Sequence, residues 1–368
     1  MSKQIQEPPI DTVEEAEALV ERVFTSVIGL FDLAAIHLGD RLGLYRALHE
    51  SGPSTSRELA ATTATDERYV REWLEQQAVT DILTVVEEAG SASERRYELP
   101  AGHADALVAT ESPNYIAALG RQALGMLRPL PSVVDAFRTG AGVPYADYGP
   151  DTREGIADLN RVMFLNELGS SWFPAIPDVH ERLTAGGRVA DVACGAGWSS
   201  IAIASAYPQA RVDGFDVDSA SIEAARANAA SEGLENRIRF HVQDASEPSL
   251  GGNFDVVTIF EALHDLGRPV EALANARRSL AEDGVMIVAD ERVAETFTAP
   301  GDDVERIMYG FSVVHCLPVG RADHEESAAT GTAMRPETLR GYAREAGFSN
   351  VDVLPIENDF WRFYRLDP

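Results

Sequence analysis

The sequence predicts an α/β fold for the C-terminal part of the chain and a helical domain ending in a small hairpin before it. Three observations lead to this prediction. A short apolar run reaches Asp191, two glycines follow it, and an apolar helical stretch comes next, which is typical of a strand, a sharp turn and a helix. After residue 185, strand and helix patterns alternate, so the sheet should be mostly parallel. Before residue 101, three helical patterns lead into two short strands.

The N-terminal elements have clear periodicity. Residues 11–40 carry apolar side chains at helical spacing and predict one or two amphipathic helices. Residues 42–100 show three helical patterns followed by two strands with a Gly/Ser-rich turn between them, which predicts a winged helix-turn-helix. We expect Ser54 or Ser56 to cap the second of these three helices.

The domain boundary is predicted from a loop-like segment. Residues 101–150 should be helical with turns, and the Tyr- and Pro-containing segment 144–150 is expected to link two domains. We therefore predict a helical, winged-helix domain at 1–150 and an α/β domain at 151–368. Residues 291–335 are longer than a plain crossover needs, so they should cover an active site, unless they form an ordinary surface helix.

The glycine-rich turn has the composition of a ligand-binding corner. Gly195 and Gly197 allow the backbone to turn sharply and to approach a ligand that a Cβ atom would exclude. Ser200 stands where a dinucleotide-binding turn of the G-x-G-x-x-G type has its third glycine. This difference argues against a nicotinamide cofactor. Cys194, inside the turn, is expected to be a small packing residue and not a nucleophile.

Acidic residues follow the next three predicted strands. Asp216 ends the second strand, about 20 residues after the turn, where a carboxylate can accept hydrogen bonds from ribose hydroxyls. Asp244 ends the third strand and can accept one from an adenine amino group. Glu261 ends the fourth and is followed by His264 and Asp265. All of these lie at the carboxyl ends of strands, where open α/β sheets bind ligands.

Together these segments resemble the class I S-adenosylmethionine-dependent methyltransferases, over roughly residues 155–368. The resemblance implies a Rossmann-like sheet, mostly parallel with an antiparallel last strand, and S-adenosylmethionine as the cofactor. It places the methionine part at the glycine turn, the ribose at Asp216 and the adenine at Asp244. The predicted cofactor-binding residues are Asp191, Ala193, Cys194, Gly195, Gly197, Asp216, Val217, Asp244, Ala245 and Glu261.

The segment EALHDL contains the predicted catalytic histidine, His264. It resembles the L-H-D-W segment of small-molecule O-methyltransferases, whose histidine is a general base, and histidine titrates in the range that this task needs. Asp265 is predicted to orient the ring or cap the next helix, and Asp290 to stand for the first of two acids that flank the histidine in that family. The second acid is absent, since residues 333–335 are Ala, Met and Arg. The alternative is that His264 only lines the pocket.

Two residues are predicted to line the pocket of a small organic acceptor. Met163, in LNRVM, resembles the methionine of the family's F-N-x-x-M helix, and the alternative is a core methionine. His315 should face the substrate or lie in a buried turn before Pro318. Transfer to oxygen is favoured over nitrogen or carbon. Since Cys194 and Cys316 fit no metal-ligand spacing, no metal is expected.

The winged helix raises one alternative, a transcriptional regulator that binds S-adenosylmethionine. Residues 42–100 contain 11 acidic and six basic side chains, and the predicted recognition helix, DERYVREWLEQQ, has four acids against two arginines. Phosphate contacts dominate DNA affinity, so nucleic acid is not an expected partner and the enzyme is favoured. In the family that the chain resembles, this domain serves as a dimerisation and lid module, which implies a homodimer.

The charge of the whole chain is extreme. The formal net charge is −28, and lysine occurs once among the 31 basic residues. Such a surface suits a protein of a salt-loving organism, the alternative being an acidic actinobacterial protein, and it opposes binding to anionic membranes. No apolar run reaches the ~18 residues of a membrane span, and MSKQIQEPPI has no signal-peptide core. A cytoplasmic location is therefore expected.

Overall fold

The computed structural model describes residues 10–87, 90–248, 250–322, 324 and 326–368. Contacts between Cα atoms divide the chain into two compact units, of which the first ends at Leu124 and the second begins at Gly125. This division lies earlier in the chain than the boundary after residue 150 that the sequence predicted. Within the described residues, no helix combines the length and the apolar character needed to cross a bilayer.

The first unit contains the winged helix. Its elements are α1 (Ile10–Arg41), α2 (Leu44–Ser51), α3 (Ser56–Thr63), α4 (Glu67–Val79), β1 (Thr84–Glu87), β2 (Arg96–Glu98), α5 (Ala101–Leu107) and α6 (Ala117–Met126), the last of which continues into the second unit. Strands β1 and β2 pair antiparallel and form the wing. Tyr45 and Trp73 pack edge to face in the core of this unit, with ring centroids 5.1 Å apart. The predicted winged helix is confirmed.

The cap of α3 differs from the prediction. Thr55 is the N-cap residue: its hydroxyl accepts from the backbone N–H of Glu58, and the Glu58 carboxylate accepts from the backbone N–H of Thr55, which completes a capping box. The prediction of Ser54 or Ser56 was wrong by one residue. Ser56 already belongs to the helix, and Ser54 is held by a backbone bridge to Tyr97 of the wing.

The second unit is a seven-stranded sheet with helices on both faces. Its helices are α7 (Leu130–Thr139), α8 (Tyr145–Met163), α9 (Pro177–Thr184), α10 (Trp198–Ala206), α11 (Ser219–Ser231), α12 (Pro269–Ser279), α13 (Asp303–Phe311), α14 (Leu317–Ala322) and α15 (Pro336–Glu345). Its strands are β3 (Arg188–Val192), β4 (Arg211–Asp216), β5 (Ile238–Val242), β6 (Phe254–Phe260), β7 (Leu280–Glu291), β8 (Asn350–Val353) and β9 (Trp361–Asp367). Two π-helical segments, Phe164–Trp172 and Ser312–Cys316, extend α8 and α13.

The strand order is β5-β4-β3-β6-β7-β9-β8. The first five strands of this order pair in parallel, and β9 pairs antiparallel with both β7 and β8. Successive residues of β7 point to opposite faces: Ile287 and Ala289 enter one hydrophobic core, while Met286 and Val288 enter the other. Burial on both faces explains the continuous apolar runs that predicted these strands. The predicted fold class is confirmed.

The segment expected to link the domains is helical. Helix α8 begins at Tyr145, so the prediction of a loop there was wrong. The helix is interrupted at Gly149, whose φ is 77°, and resumes at Pro150. Proline lacks an N–H and is tolerated in the first turn of a helix, so Pro150 suits the start of the second stretch. The Gly-Pro pair marks a kink between two helical stretches.

Residues just after the unit boundary pack inside the second unit. Val133, Val143 and Tyr148 form a small apolar cluster with Val319. The backbone N–H of Val143 donates a hydrogen bond to the carbonyl of Pro318, at 2.9 Å. These contacts are with the insertion after β7, which the sequence could not show to be a neighbour of residues 133–148.

Candidate active site

Asp191, at the end of β3, accepts hydrogen bonds from three side chains of the protein. Its carboxylate accepts from the hydroxyls of Ser199 and Ser200 at 2.6 Å each and from Thr258 at 2.8 Å. Burial raises the pKa of this carboxyl, and the hydroxyl donors oppose that rise. Asp191 is 1% exposed, so it fixes the start of α10 to the end of β3. Ser200, which stands where a dinucleotide-binding turn has its third glycine, is one of these donors.

The turn that follows exposes its backbone. Ala193, Gly195 and Gly197 all have positive φ, at 56°, 51° and 80°. A Cβ atom on Gly197 would lie 2.7 Å from the ring of Phe240, so only glycine fits there, whereas a Cβ on Gly195 would meet open space. Cys194 is buried, and burial raises the pKa of its thiol well above the ordinary value, in keeping with a packing residue. The open space before Gly195 fits the approach of a ligand.

Asp216 links this turn to the end of β4. Its Oδ2 accepts a hydrogen bond from the backbone N–H of Gly195, and its Oδ1 accepts one from Asp218, both at 2.8 Å. Burial raises the pKa of Asp216 to about 6. The next side chain, Val217, is 65% exposed although it is apolar. The pair therefore offers a carboxylate and a bare apolar surface beside the turn.

One cavity brings five of the predicted cofactor residues together. It has a volume of about 120 Å³. Its lining includes Ala193, Asp216, Val217, Asp244 and Ala245. The carboxyl ends of β3, β4 and β5 meet here because these strands are neighbours in the sheet.

Asp244 is oriented by neighbouring groups. Its Oδ1 accepts hydrogen bonds from the backbone N–H and the hydroxyl of Ser246, both at 2.7 Å. Its Oδ2 lies 3.4 Å from His324 Nε2, in the region after α14. His324 also lines the cavity, a contact that was not predicted from the sequence. An acidic and an imidazole group therefore flank the same space.

Glu261, directly after β6, lies apart from that cavity lining. It has a φ of 53°, unusual for a residue other than glycine, and it accepts a hydrogen bond from Asn160 of α8. Burial raises its pKa to about 7. The pKa of Glu291 is raised well above its ordinary value, mainly by burial and to a lesser extent by the charge of Glu261. Neither Glu291 nor Asn160 was predicted as a site residue, although Asn160 stands at the asparagine of the F-N-x-x-M pattern.

His264 is held between two carboxylates. It lies in a 3₁₀ turn after β6, and its Nδ1 is 2.8 Å from Oδ1 of Asp290, at the end of the neighbouring strand β7. Its Nε2 is 3.3 Å from Oδ1 of Asp265. Burial opposes protonation of the ring, but the charges of Asp290 and Asp265 prevail and raise the pKa of His264 well above its ordinary value. Both His264 and Asp290 have side chains only 2% exposed.

The segment where the family has its second acid contains Arg335 in this chain, and Arg335 has a different role. Arg335, where the family pattern expects an acid nearby, pairs with the buried Glu305 and donates to the carbonyl of Ala294. It holds the insertion after β7 in place. The second carboxylate at the histidine ring comes instead from Asp265, its neighbour in sequence.

The two predicted pocket residues are in different surroundings. Met163 is partly buried against a hydrophobic core, and its sulfur lies 3.8 Å from Nδ2 of Asn358. His315 lies in the second π-helical segment and is 2% exposed. Its ring packs edge-on against Tyr145 and Tyr148, with centroids 5.8 and 4.6 Å away, and burial lowers its pKa. The histidine is therefore enclosed, and burial favours its neutral form.

Comparisons with known proteins agree with this architecture. Residues 183–326 match the family model described as a methyltransferase domain, and residues 33–109 match the Rv2258c-like winged HTH domain. The ubiquinone biosynthesis O-methyltransferase of Stutzerimonas stutzeri (strain A1501) is 26% identical over 216 residues, which are 55% of this chain and 80% of the relative. The methyltransferase ungE' of Aspergillus campestris (strain IBT 28561) is 30% identical over 142 residues, 35% of this chain and 41% of the relative.

Two solved structures share the fold over nearly the whole chain. Human N-acetylserotonin methyltransferase, in complex with S-adenosylmethionine, has a TM-score of 0.71 at 17% identity and covers 100% of this chain and 99% of its own. The mitomycin 7-O-methyltransferase MmcR has a TM-score of 0.68 at 20% identity, with 96% and 99% covered. With the family matches, the strand order and the exposed glycine turn, these findings identify the chain as an S-adenosylmethionine-dependent methyltransferase with an N-terminal winged-helix domain.

Proposed function

We propose that this protein transfers a methyl group to an oxygen atom of a small organic acceptor, with His264 as the general base. The observation that carries the proposal is the His264–Asp290 pair, 2.8 Å apart and buried at the ends of two neighbouring strands. A small-molecule acceptor is also supported by the two similar structures, whose names refer to mitomycin and N-acetylserotonin.

The cofactor residues can be assigned to parts of the ligand. When bound, S-adenosylmethionine supplies an electrophilic methyl group on a sulfonium sulfur. Asp216 accepts hydrogen bonds from the ribose hydroxyls, and Asp244 accepts one from the adenine amino group. Val217 offers an apolar surface, and the backbone from Ala193 to Gly197 holds the methionine part. The chain positions both reactants, and positioning provides much of the acceleration in such a transfer.

Asp290 and Asp265 have different tasks at the histidine. The raised pKa of His264 favours the protonated ring, so Nε2 must first lose its proton. Asp290 accepts the Nδ1–H, so the lone pair of the neutral ring then lies on Nε2. Nε2 takes the proton of the acceptor hydroxyl while the O–C bond forms and the C–S bond breaks. Asp265, beside Nε2, stabilises the imidazolium that results. Asp265 thereby takes the part of the second acid that residues 333–335 do not provide.

The regulator alternative has less support in the structure. The arginines of α4 are paired with acids of the same helix: Arg68 with Glu72, and Arg71 with Glu67. Arginines held in this way are less available to phosphate, which dominates affinity for DNA. The winged helix is better explained by association between subunits.

We also propose that α1 pairs two copies of this chain. Its large exposed apolar side chains repeat at spacings of three and four residues, as in the seam of a coiled coil. The side chains on this stripe are Val13, Val20, Val23, Phe24, Val27, Leu30, Phe31 and Leu38, and the exposed Leu19 and Ile28 flank it. Phe24 and Phe31 are 65% and 64% exposed in the single chain, and covering such side chains is worth roughly 1.5–3 kcal/mol each.

The general base is tested with His264→Gln. Turnover should fall by roughly 10²–10⁴, while the affinity for S-adenosylmethionine measured by calorimetry stays near that of the wild type. The loss should be largest with alcohol acceptors and should shrink with acidic phenols, which ionise without help. His241→Gln is the matched control, because His241 also faces an aspartate, at 3.1 Å, but is exposed. Near-wild-type turnover of an alcohol by His264→Gln would refute the base.

The subunit interface is tested with Phe31→Asp. This change places a charge on the apolar seam, so the mass measured by light scattering should fall from dimer to monomer. Thr25→Asp is the control, since Thr25 is exposed on the same helix outside the seam. A wild-type protein that is monomeric at high salt would contradict this proposal without affecting the catalytic one.

A further inference from the structure

His264 also lies close to two other side chains that can bind a metal ion. Ligand atoms of His264, Asp265 and Cys316 all lie within 4.8 Å of one another. His264 and Cys316 are buried, and Asp265 keeps 28% of its side chain exposed. Imidazole nitrogen, thiolate sulfur and carboxylate oxygen are the donors that Zn²⁺ takes in proteins.

The spacing of the donors suits a small tetrahedral site. Zinc bonds of about 2.0–2.3 Å place two ligand atoms roughly 3.3–3.8 Å apart. Nε2 of His264 and Oδ1 of Asp265 are already 3.3 Å apart. That Oδ1 atom is buried, and among the residues that the structure describes it has no hydrogen-bond partner, so its contact with Nε2 lacks hydrogen-bond geometry. The two atoms converge on a common point.

Neighbouring groups complete this arrangement. Asp290 binds Nδ1 of His264, and a carboxylate on the far nitrogen is the usual support of a zinc-bound histidine. Thr332 is 1% exposed, and its hydroxyl lies beside the thiol of Cys316.

We propose that His264, Asp265 and Cys316 bind a thiophilic divalent cation such as Zn²⁺, with a fourth position open to water or Thr332. Binding forms bonds to Nε2, Sγ and Oδ1 and releases the thiol proton, with any proton on Nε2, to solvent. This site was not predicted from the sequence, because its donors come from two distant segments, the turn after β6 and the insertion after β7. The occupied site uses the Nε2 lone pair, so the cation inhibits methyl transfer; this consequence rests on the proposed function.

Cobalt is the direct probe of the site. We expect the reduced, metal-free, full-length protein to bind one Co²⁺ with a thiolate-to-cobalt charge-transfer band, which excess Zn²⁺ removes. The band should be lost in Cys316→Ser and kept in Cys194→Ser, the matched control at the other buried cysteine. Asp290→Asn should weaken cobalt binding about 10–100-fold, as expected for a residue that positions a ligand.

Two results would overturn the site. One is the absence of the band in the wild type, and the other is its persistence in Cys316→Ser. Circular dichroism shows whether each variant is folded, and Asp265→Asn, at a partly exposed position, gives an independent loss of cobalt affinity if Cys316→Ser does not fold.

Inhibition by Zn²⁺ is then measured against each variant's own rate of methyl transfer. A cobalt band without zinc inhibition would contradict the role of His264 as base and leave the metal site standing. Inhibition that is equal in the wild type and Cys316→Ser would place the inhibitory cation elsewhere and overturn the regulatory part of the proposal.

Discussion

Two histidine–aspartate pairs of the same sheet differ chiefly in burial. His264 and Asp290 are 2.8 Å apart, and both side chains are 2% exposed. His241 and Asp213 are 3.1 Å apart, with exposures of 41% and 16%. Water screens the second pair, whereas the first interacts in a medium of low polarity, where charges affect each other's protonation strongly.

The two histidines also differ in the side chains that contact the rest of the ring. The ring of His241 stacks on Phe215, with centroids 4.8 Å apart, and Asp213 also faces Arg188. These contacts tie strands β4 and β5 together. The second nitrogen of His264 lies beside a second carboxylate, that of Asp265. Burial and this second carboxylate, and not the residue types, separate the candidate catalytic pair from the more exposed one.

The largest expected effect comes from the partner of His264. Asp290→Asn should lower turnover about 10²–10⁴-fold, because the amide can hold the ring with the wrong nitrogen protonated. Asp213→Asn, the same change in the exposed pair, should stay within a few-fold of the wild type. Both are measured as kcat with saturating cofactor. Equal losses in the two variants would show that burial does not distinguish the pairs.

A smaller effect is expected at the cofactor. Asp216 and Asp213 both belong to β4, but only Asp216 reaches the glycine turn, through Gly195. Asp216→Asn should weaken binding of S-adenosylmethionine by roughly 1.5–3 kcal/mol, the value of one charge-assisted hydrogen bond. Isothermal calorimetry measures this, with Asp213→Asn as control. An unchanged dissociation constant for Asp216→Asn would exclude it from the ribose site.

The strands, and the meeting of residues at their carboxyl ends, could be predicted because the signals are local. Strands buried on both faces give unbroken apolar runs, and parallel pairing brings the ends of consecutive runs to one edge. Asp216, Val217 and Asp244 followed from this rule, and the structure places them on one cavity. Helix α8 was missed because the Gly149–Pro150 pair is typical of a loop, although proline also suits a helix start.

Contacts between distant segments were not predictable. Cys316 reaches His264 only because the insertion after β7 folds back over the turn after β6. Ser200 donates to Asp191, a task that the glycine pattern of the turn does not reveal. Glu291 is one residue past Asp290, but its side chain interacts with Glu261 across neighbouring strands. Such pairings depend on side-chain direction, which periodicity alone does not fix.

The smallest expected effect is the pH dependence of cofactor binding. Burial raises the pKa of Asp216 from 3.8 to about 6. In the complex proposed above, the ribose hydroxyls would donate to the ionised form of this carboxyl. Affinity for the cofactor should therefore be full well above pH 6 and fall as the pH drops through 6, to about tenfold weaker at pH 5 than at pH 8.

The stability of the ligand-free protein should depend on pH in the opposite direction. The native state holds this proton more tightly than the unfolded chain does, so the contribution of Asp216 to stability is greatest at low pH and is lost as the pH rises through about 6. Calorimetry across this range tests the first effect, and denaturant unfolding tests the second. Asp216→Asn should flatten both profiles, whereas Asp213→Asn should leave them as in the wild type. A binding profile of Asp216→Asn that still turns near pH 6 would assign the titration to another group.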